Sequence, residues 1–112
     1  MPELPEVENT KRYLIDSGII ESKIQTAWTD TPNSWIGISQ AHFDATFGNS
    51  SIIALRRIAK YLVIYTSDDN FTVHLGMTGW LRIEDPDRPA HKYTRHVIHF
   101  EDGRELRLSL IH

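Results

Sequence analysis

Across residues 3–17 the apolar side chains Leu4, Val7 and Leu14 recur at helical spacing with polar residues between them. Gly18 follows where a helix C-cap glycine belongs, and the pattern predicts one amphipathic helix. Residues 19–28 mix β-branched and aromatic positions without that spacing and predict a strand. Residues 29–34, containing Asp30, Pro32 and Asn33, predict a loop. The pattern is weakest over residues 35–50. There Trp35, Ile36 and Ile38 suit a short strand, and His42, Phe43 and Phe47 suit an irregular segment closing at Gly48-Asn49.

From Ser51 the β signal sharpens. Ile52-Ile53-Ala54-Leu55 leads into Arg56-Arg57, and residues 61–65 form an apolar β-rich run bounded by the turn cluster Ser67-Asp68-Asp69-Asn70. Residues 71–75 return as a hairpin partner. Gly76 and Gly79 flank Met77-Thr78 in a tight loop before a strand at 80–83, and residues 84–90, with two prolines among charges, make an exposed connection. Asp102-Gly103 joins strands at 96–100 and 104–110. One helix followed by seven short strands predicts a mostly β (α+β) fold, an antiparallel sandwich with a helix attached.

A length of 112 residues bounds the chain to one domain with room for a real core. Hydrophobic residues make up 40% and charged residues 24%. No apolar run approaches the roughly 20 residues of a membrane span, and the opening lacks the basic region of a signal peptide. Zero cysteines exclude disulfides and thiolate zinc sites and fit a cytoplasmic location. The net charge of −3 argues against a nucleic-acid partner. Its distribution softens that objection: residues 1–50 carry 3 Lys/Arg against 7 Asp/Glu (−4), and residues 51–112 carry 9 against 8 (+1).

The candidate chemistry lies in the first seven residues, Met1-Pro2-Glu3-Leu4-Pro5-Glu6-Val7. Removal of Met1 leaves Pro2 as a free secondary amine. A chain-terminal amine titrates near 7.7 to 8, about 2.5 units below lysine, so a sizeable fraction is nucleophilic at physiological pH. Attack on a sugar carbon gives an iminium, an electron sink that lets neighbouring C–O bonds break. Glu3 stands beside the amine as a proton carrier, and in a helix Glu3 and Glu6 project from one face. The same residues also make an ordinary helix start, since proline and acidic side chains are favoured there.

The string PELPEVE after the initiator Met resembles the opening of the formamidopyrimidine-DNA glycosylase family, bifunctional repair enzymes that excise oxidised purines and nick the strand. Two further segments resemble the same family: Arg56-Arg57-Ile58-Ala59-Lys60-Tyr61-Leu62 and His74-Leu75-Gly76-Met77-Thr78-Gly79-Trp80-Leu81-Arg82. The resemblance implies a two-layer β-sandwich flanked by a helix, with Pro2 as Schiff-base nucleophile, Glu3 as proton donor and Glu6 as a supporting carboxylate. It implies that Lys60 contacts phosphate and assists β-elimination, that His74 contacts phosphate, and that Met77 fills the space of an everted nucleotide. Without the family, Lys60 reads as a strand-edge lysine that discourages aggregation, and Met77 as a core filler. Lys92-Tyr93-Thr94-Arg95-His96-Val97 resembles the family's Lys-His-x-His-Val element, making His96 a DNA contact, while Tyr93 or Thr94 replaces the first, DNA-contacting histidine.

Leu4 and residues 74–81 look more like the oxidised-purine branch than the oxidised-pyrimidine branch. At the other end, Leu108-Ser109-Leu110-Ile111-His112 stands where the family has an arginine and a phenylalanine for its DNA wedge, with His112 in the arginine's place. The resemblance covers the whole chain but only the front of the enzyme. Residues 1–112 are expected to be a single N-terminal catalytic domain, with the helix–two-turn–helix module and zinc finger absent and no cofactor or metal in this chain. The expected function is base-excision repair by a DNA glycosylase with AP-lyase activity. The expected partner is damaged double-stranded DNA, bound by a monomer with no membrane association. The alternative is a catalytically inactive DNA-binding or interaction module of the same fold. A tautomerase with an N-terminal proline base fits poorly, because those chains begin a strand directly after the proline.

Overall fold

A computed structural model describes residues 4–29, 40–59, 61–73, 79–90 and 92–109, with the backbone alone at 4, 5, 40 and 41. The elements run α1 (Leu4–Asp16), β1 (Ile24–Thr29), α2 (Gln40–Phe47), β2 (Ile52–Ile58), β3 (Tyr61–Thr66), β4 (Asn70–Val73), β5 (Trp80–Glu84), β6 (Thr94–Phe100) and β7 (Glu105–Ser109). The strands form two antiparallel sheets, one of four strands in the order β1-β6-β7-β5 and one of three in the order β2-β3-β4. The architecture is the mostly β fold with an N-terminal helix that the pattern predicts.

Period-2 alternation sends one face of each sheet inward. Leu81, Ile98, Phe100, Leu106 and Leu108 come from the larger sheet and Ile52, Leu55, Leu62, Ile64, Phe71 and Val73 from the smaller, and all join one buried cluster. α1 packs against β2 and β3 of one sheet and β5 of the other. Its end is set by Gly18 at φ +81, where Gly18 N–H donates to Ile15 O (3.1 Å) and Ile19 N–H to Leu14 O (3.4 Å). This is a Schellman cap, and Leu14 and Ile19, both fully buried, supply its apolar contact.

Two expectations are corrected. Residues 19–23 are not strand: Glu21 adopts φ +74, and Ser22 N–H donates to Ile19 O (3.0 Å), so the chain turns before β1 begins at Ile24. The apolar run there feeds the core through a turn. The expected irregular segment at 40–47 is a second helix. Phe43 and Phe47, four apart and so on one helical face, pack on each other (centroids 4.8 Å) and on Phe71 (5.3 and 4.9 Å). Asp44 from the same helix accepts from Ala27 N–H (2.9 Å) and from Thr26 Oγ1 (2.8 Å), satisfying a backbone donor on the edge strand β1. The short strand expected at Trp35, Ile36 and Ile38, and the tight loop at 76–78, lie outside the described residues.

The hairpins behave as their sequences require. Thr66 Oγ1 accepts from the backbone N–H of Asp68 and Asp69 in the β3–β4 turn (3.3 and 3.1 Å). Gly103, at φ +95, carries the β6–β7 turn, and Asp102 Oδ1 accepts from Arg104 N–H (3.0 Å).

Gly18→Ala tests the cap. Its Cβ would meet nothing closer than Arg104 Nη1 at 3.8 Å, so the cost is conformational. Left-handed backbone costs a non-glycine residue about 1 kcal/mol. The variant is expected to lower the urea midpoint accordingly with an unchanged denaturant slope.

Candidate active site

Of the residues singled out from the sequence, Glu6 and His96 are described, and Pro2, Glu3, Lys60, His74 and Met77 lie outside the described residues. Glu6 is in the first turn of α1 with an exposed side chain, and its backbone oxygen accepts from Thr10 Oγ1 (3.0 Å). His96 is placed differently from a surface contact. It is 2% exposed, and its Nδ1 lies 2.7 Å from Thr29 Oγ1 on the paired strand β1. The cause is parity: His96 shares a strand face with Ile98 and Phe100, the face that meets the core.

The described residues flanking the others converge at one end of the molecule. Across the three-stranded sheet, Arg57 pairs with Leu62 and Leu62 with Val73, a single transverse row. Ile58 pairs with Tyr61, leaving residues 59 and 60 as a two-residue connection, and Ala59 takes φ +54 as such turns demand. β4 ends at Val73, so the strand ends leading to 60 and to 74 lie side by side.

α1 is tied to that row by Glu8, which is not among the residues the motifs single out. Its Oε1 accepts from Arg57 Nε (3.1 Å), and Arg57 Nη1 also donates to Ala59 O (3.2 Å), so one guanidinium joins the front of the helix to the β2–β3 turn. Lys11 Nζ lies 3.0 Å from Glu8 Oε2. The hydrogen bonds from Lys11, then Arg57, hold the Glu8 carboxyl below the ordinary glutamate value. The local signal was present, since Glu8 stands three and four residues before Lys11 and Arg12. The partner 49 residues away was not readable.

Further along α1, Tyr13 Oη accepts from Ile83 N–H of β5 (2.9 Å). Asn9, Thr10 and Tyr13 line a cavity of about 270 Å³ with Trp80, Leu81 and Arg82 of β5, the strand that resumes after residues 74–78. At the far end Arg104 Nη1 donates to Ser17 O (3.0 Å) and Nη2 to Ser22 Oγ (2.6 Å), completing the helix C-terminus from the β6–β7 turn. Three elements thus fix one helix, and the described strand ends that lead to residues 60 and 74 share one row of the sheet, which Glu8 of that helix reaches through Arg57. Among the described residues no group of three metal-ligating side chains gathers, and no helix is long and apolar enough to cross a membrane.

Residues 1–109 match the family model described as the N-terminal domain of formamidopyrimidine-DNA glycosylase. A formamidopyrimidine-DNA glycosylase of Vibrio cholerae is 39% identical over 109 residues, and one of Shewanella denitrificans 36% over 113. Each alignment covers 97% of this chain and 39% of the relative, so the chain spans about two fifths of their length. Among solved structures, Lactococcus lactis Fpg (MutM) in complex with DNA containing N7-benzyl-Fapy-dG superposes with a TM-score of 0.87 at 27% identity, over 97% of this chain and 40% of that one. The same organism's Fpg with abasic-site DNA gives 0.88 at 26% identity, over 98% and 40%.

The Glu8 tie carries a pH signature. A carboxyl with a depressed folded pKa stabilises above its unfolded value and loses that contribution as pH falls through the folded value. Glu8→Gln is therefore expected to lower the melting temperature slightly at pH 7. The deficit relative to the unmodified protein should shrink as the acid limb is entered below about pH 4.3, the ordinary glutamate value. Melting curves taken at intervals from pH 7 to pH 2.5 check this, and a deficit constant across the range contradicts the assignment.

Proposed function

Because the chain belongs to the formamidopyrimidine-DNA glycosylase family through that family's N-terminal domain, we propose that it carries the reacting groups of a base-excision-repair glycosylase with AP-lyase chemistry. The substrate proposed is duplex DNA holding an oxidised purine, such as a formamidopyrimidine or 8-oxoguanine. The structural relatives support that class, since Lactococcus lactis Fpg forms complexes with DNA containing Fapy-dG and with DNA containing an abasic site.

The chemistry begins once Met1 is removed. The Pro2 nitrogen lone pair forms a bond to the deoxyribose anomeric carbon, the glycosidic bond breaks, and the departing base takes a proton from Glu3. The nitrogen then gives up its proton, the C1′–O4′ bond breaks with O4′ taking a proton, and the opened sugar is left as an iminium at that carbon. Loss of a proton from the adjacent carbon expels the 3′ phosphate by β-elimination. Lys60 holds phosphate and assists that proton transfer, Glu6 is a supporting carboxylate, His74 holds phosphate, and Met77 occupies the space of the everted nucleotide. His96, proposed from the family motif as a DNA contact, has a buried ring and serves the site by fixing β6 against β1.

The observation that supports this reading is the transverse row of Arg57, Leu62 and Val73, from which two matched segments lead off and which Glu8 ties to α1, the helix that carries the third. A helix anchored in this way gives a terminal amine the fixed approach that covalent catalysis needs. The residues present do not fit the zinc held by the family's zinc finger, because the sequence has no cysteine, and no step here runs through a metal.

Borohydride trapping on duplex DNA containing one abasic site tests the proposal. A covalent adduct is expected, and peptide mass spectrometry should place it on residue 2 of the Met1-processed chain. Lys60→Ala is expected to slow strand nicking at least about 100-fold, the low end of what one positioned proton-transfer group supplies, with less effect on trapping. An adduct on a lysine side chain overturns the assignment of Pro2. No adduct, with duplex binding retained, leaves the non-catalytic module of the same fold.

A further inference from the structure

The outward face of the four-stranded sheet carries an arrangement of charge that the proposed chemistry does not use. On the core side of β5 and β7, Leu81 pairs with Leu108 and Ile83 with Leu106. On the other side Trp80 faces Ser109, Arg82 faces Arg107 and Glu84 faces Glu105. Like charges directly opposite across a ladder repel. The acids are accounted for: Glu84 pairs with Arg88 (3.5 Å), and Glu105 binds Arg107 (2.9 Å) and lies 2.9 Å from His99. Arg107 is almost fully buried, and its Nη2 donates to Asp85 O (3.2 Å) and Arg88 O (2.8 Å), pinning the 85–90 connection over the sheet. Arg82 is left over. Its guanidinium lies over the Tyr13 ring at 5.6 Å, and among the described residues no carboxylate pairs with it.

The pinned connection and the sheet border an open cavity of about 520 Å³, whose lining includes Trp80, Arg82, Arg88, Thr94 and Ser109 and also the carboxylate of Glu84. Thr94 and Ser109 place two hydroxyls 3.2 Å apart on its wall. Arg82, Arg88 and Arg107 against Glu84 and Glu105 leave one net positive charge (3 − 2 = +1). The Arg88–Glu84 pair is solvent-exposed on the arginine side and opens at little cost. Forked guanidinium donors beside hydroxyl donors match the oxygens of a phosphate group.

We infer that this cavity is a second DNA contact, in which Arg82 and Arg88 bind a backbone phosphate beside the lesion site. It adjoins α1, the helix that follows Pro2, because Trp80 and Arg82 also line the small cavity against Asn9, Thr10 and Tyr13. The inference rests on the reading of the chain as a DNA-handling domain, but on none of its covalent chemistry. Arg82 and Arg88 position the strand and take no part in proton transfer.

The test titrates isotopically labelled 112-residue chain with a short undamaged duplex, and separately with inorganic phosphate, following backbone amide shifts. Duplex affinity is measured in parallel by anisotropy over a series of KCl concentrations. The duplex is expected to shift the amides of Arg82, Thr94 and Ser109. The R82Q/R88Q double variant, altered at exposed side chains, is expected to keep the native spectrum, lose those shifts, and reduce the slope of log affinity against log salt by about one or more. Amides unmoved by the duplex, whether or not inorganic phosphate moves them, or a native salt slope in the double variant would each overturn it. Borohydride trapping reports separately: an adduct without these shifts retains the glycosylase and removes this contact, and shifts without an adduct do the reverse.

Discussion

Everything proposed for this chain depends on the docking of one helix. α1 must hold its first turns beside the end of the three-stranded sheet, or the terminal amine has no defined approach to a sugar. Leu14, Ile19 and Val7, all essentially inaccessible, supply the drive. Burying an aliphatic side chain of this size is worth about 1.5–3 kcal/mol, well above what a partly exposed ion pair returns. Apolar burial therefore decides that the helix docks, and the polar ties decide how it is rotated. Tyr13 reaches β5, Arg104 reaches back from the β6–β7 turn to the helix C-terminus, and Arg57 holds the front through Glu8.

These three ties come from different parts of the fold and differ in kind. Arg104 lies against helix carbonyls, where a cation complements the negative end of the dipole. Its partner Asp102, hydrogen-bonded by the guanidinium, has its carboxyl held below the usual aspartate value. The Tyr13 tie gives the edge strand β5 a partner for one of its outward donors. Only the Glu8–Arg57 tie also bonds the β2–β3 turn, through Ala59 O. Among the described residues it is the connection that couples the helix front to the β2–β3 turn.

The four-stranded sheet shows how much a one-residue parity means. His96 falls on the core face with Ile98 and Phe100 and becomes part of the interior, while Arg82 and Arg107 fall on the outer face and confront each other. A negative chain total of −3 conceals this, because net charge sums over surfaces that never meet the same partner. Cations brought together by strand pairing matter more for a phosphate backbone than the balance over the whole chain.

Local structure was largely written in local sequence. The spacing of Leu4, Val7 and Leu14 with Gly18 behind them determined α1 and its cap, and Asp102-Gly103 and the Ser67–Asn70 cluster determined two hairpins, because helical period and turn chemistry are short-range properties. The burial of His96 follows from its alternation with Ile98 and Phe100, against the DNA contact that the family motif implied. The second helix was not, since Phe43 and Phe47 become a packing face only when Phe71 arrives from β4 and Asp44 finds the free edge of β1. The turn at Glu21, whose N–H donates to Ile52 O of β2 (2.6 Å), the Glu8–Arg57 bond and the opposition of Arg82 and Arg107 were likewise left to the tertiary structure. Each joins groups whose meeting depends on which strands pair and in what register, a property of the assembled sheets that no single stretch of the chain contains.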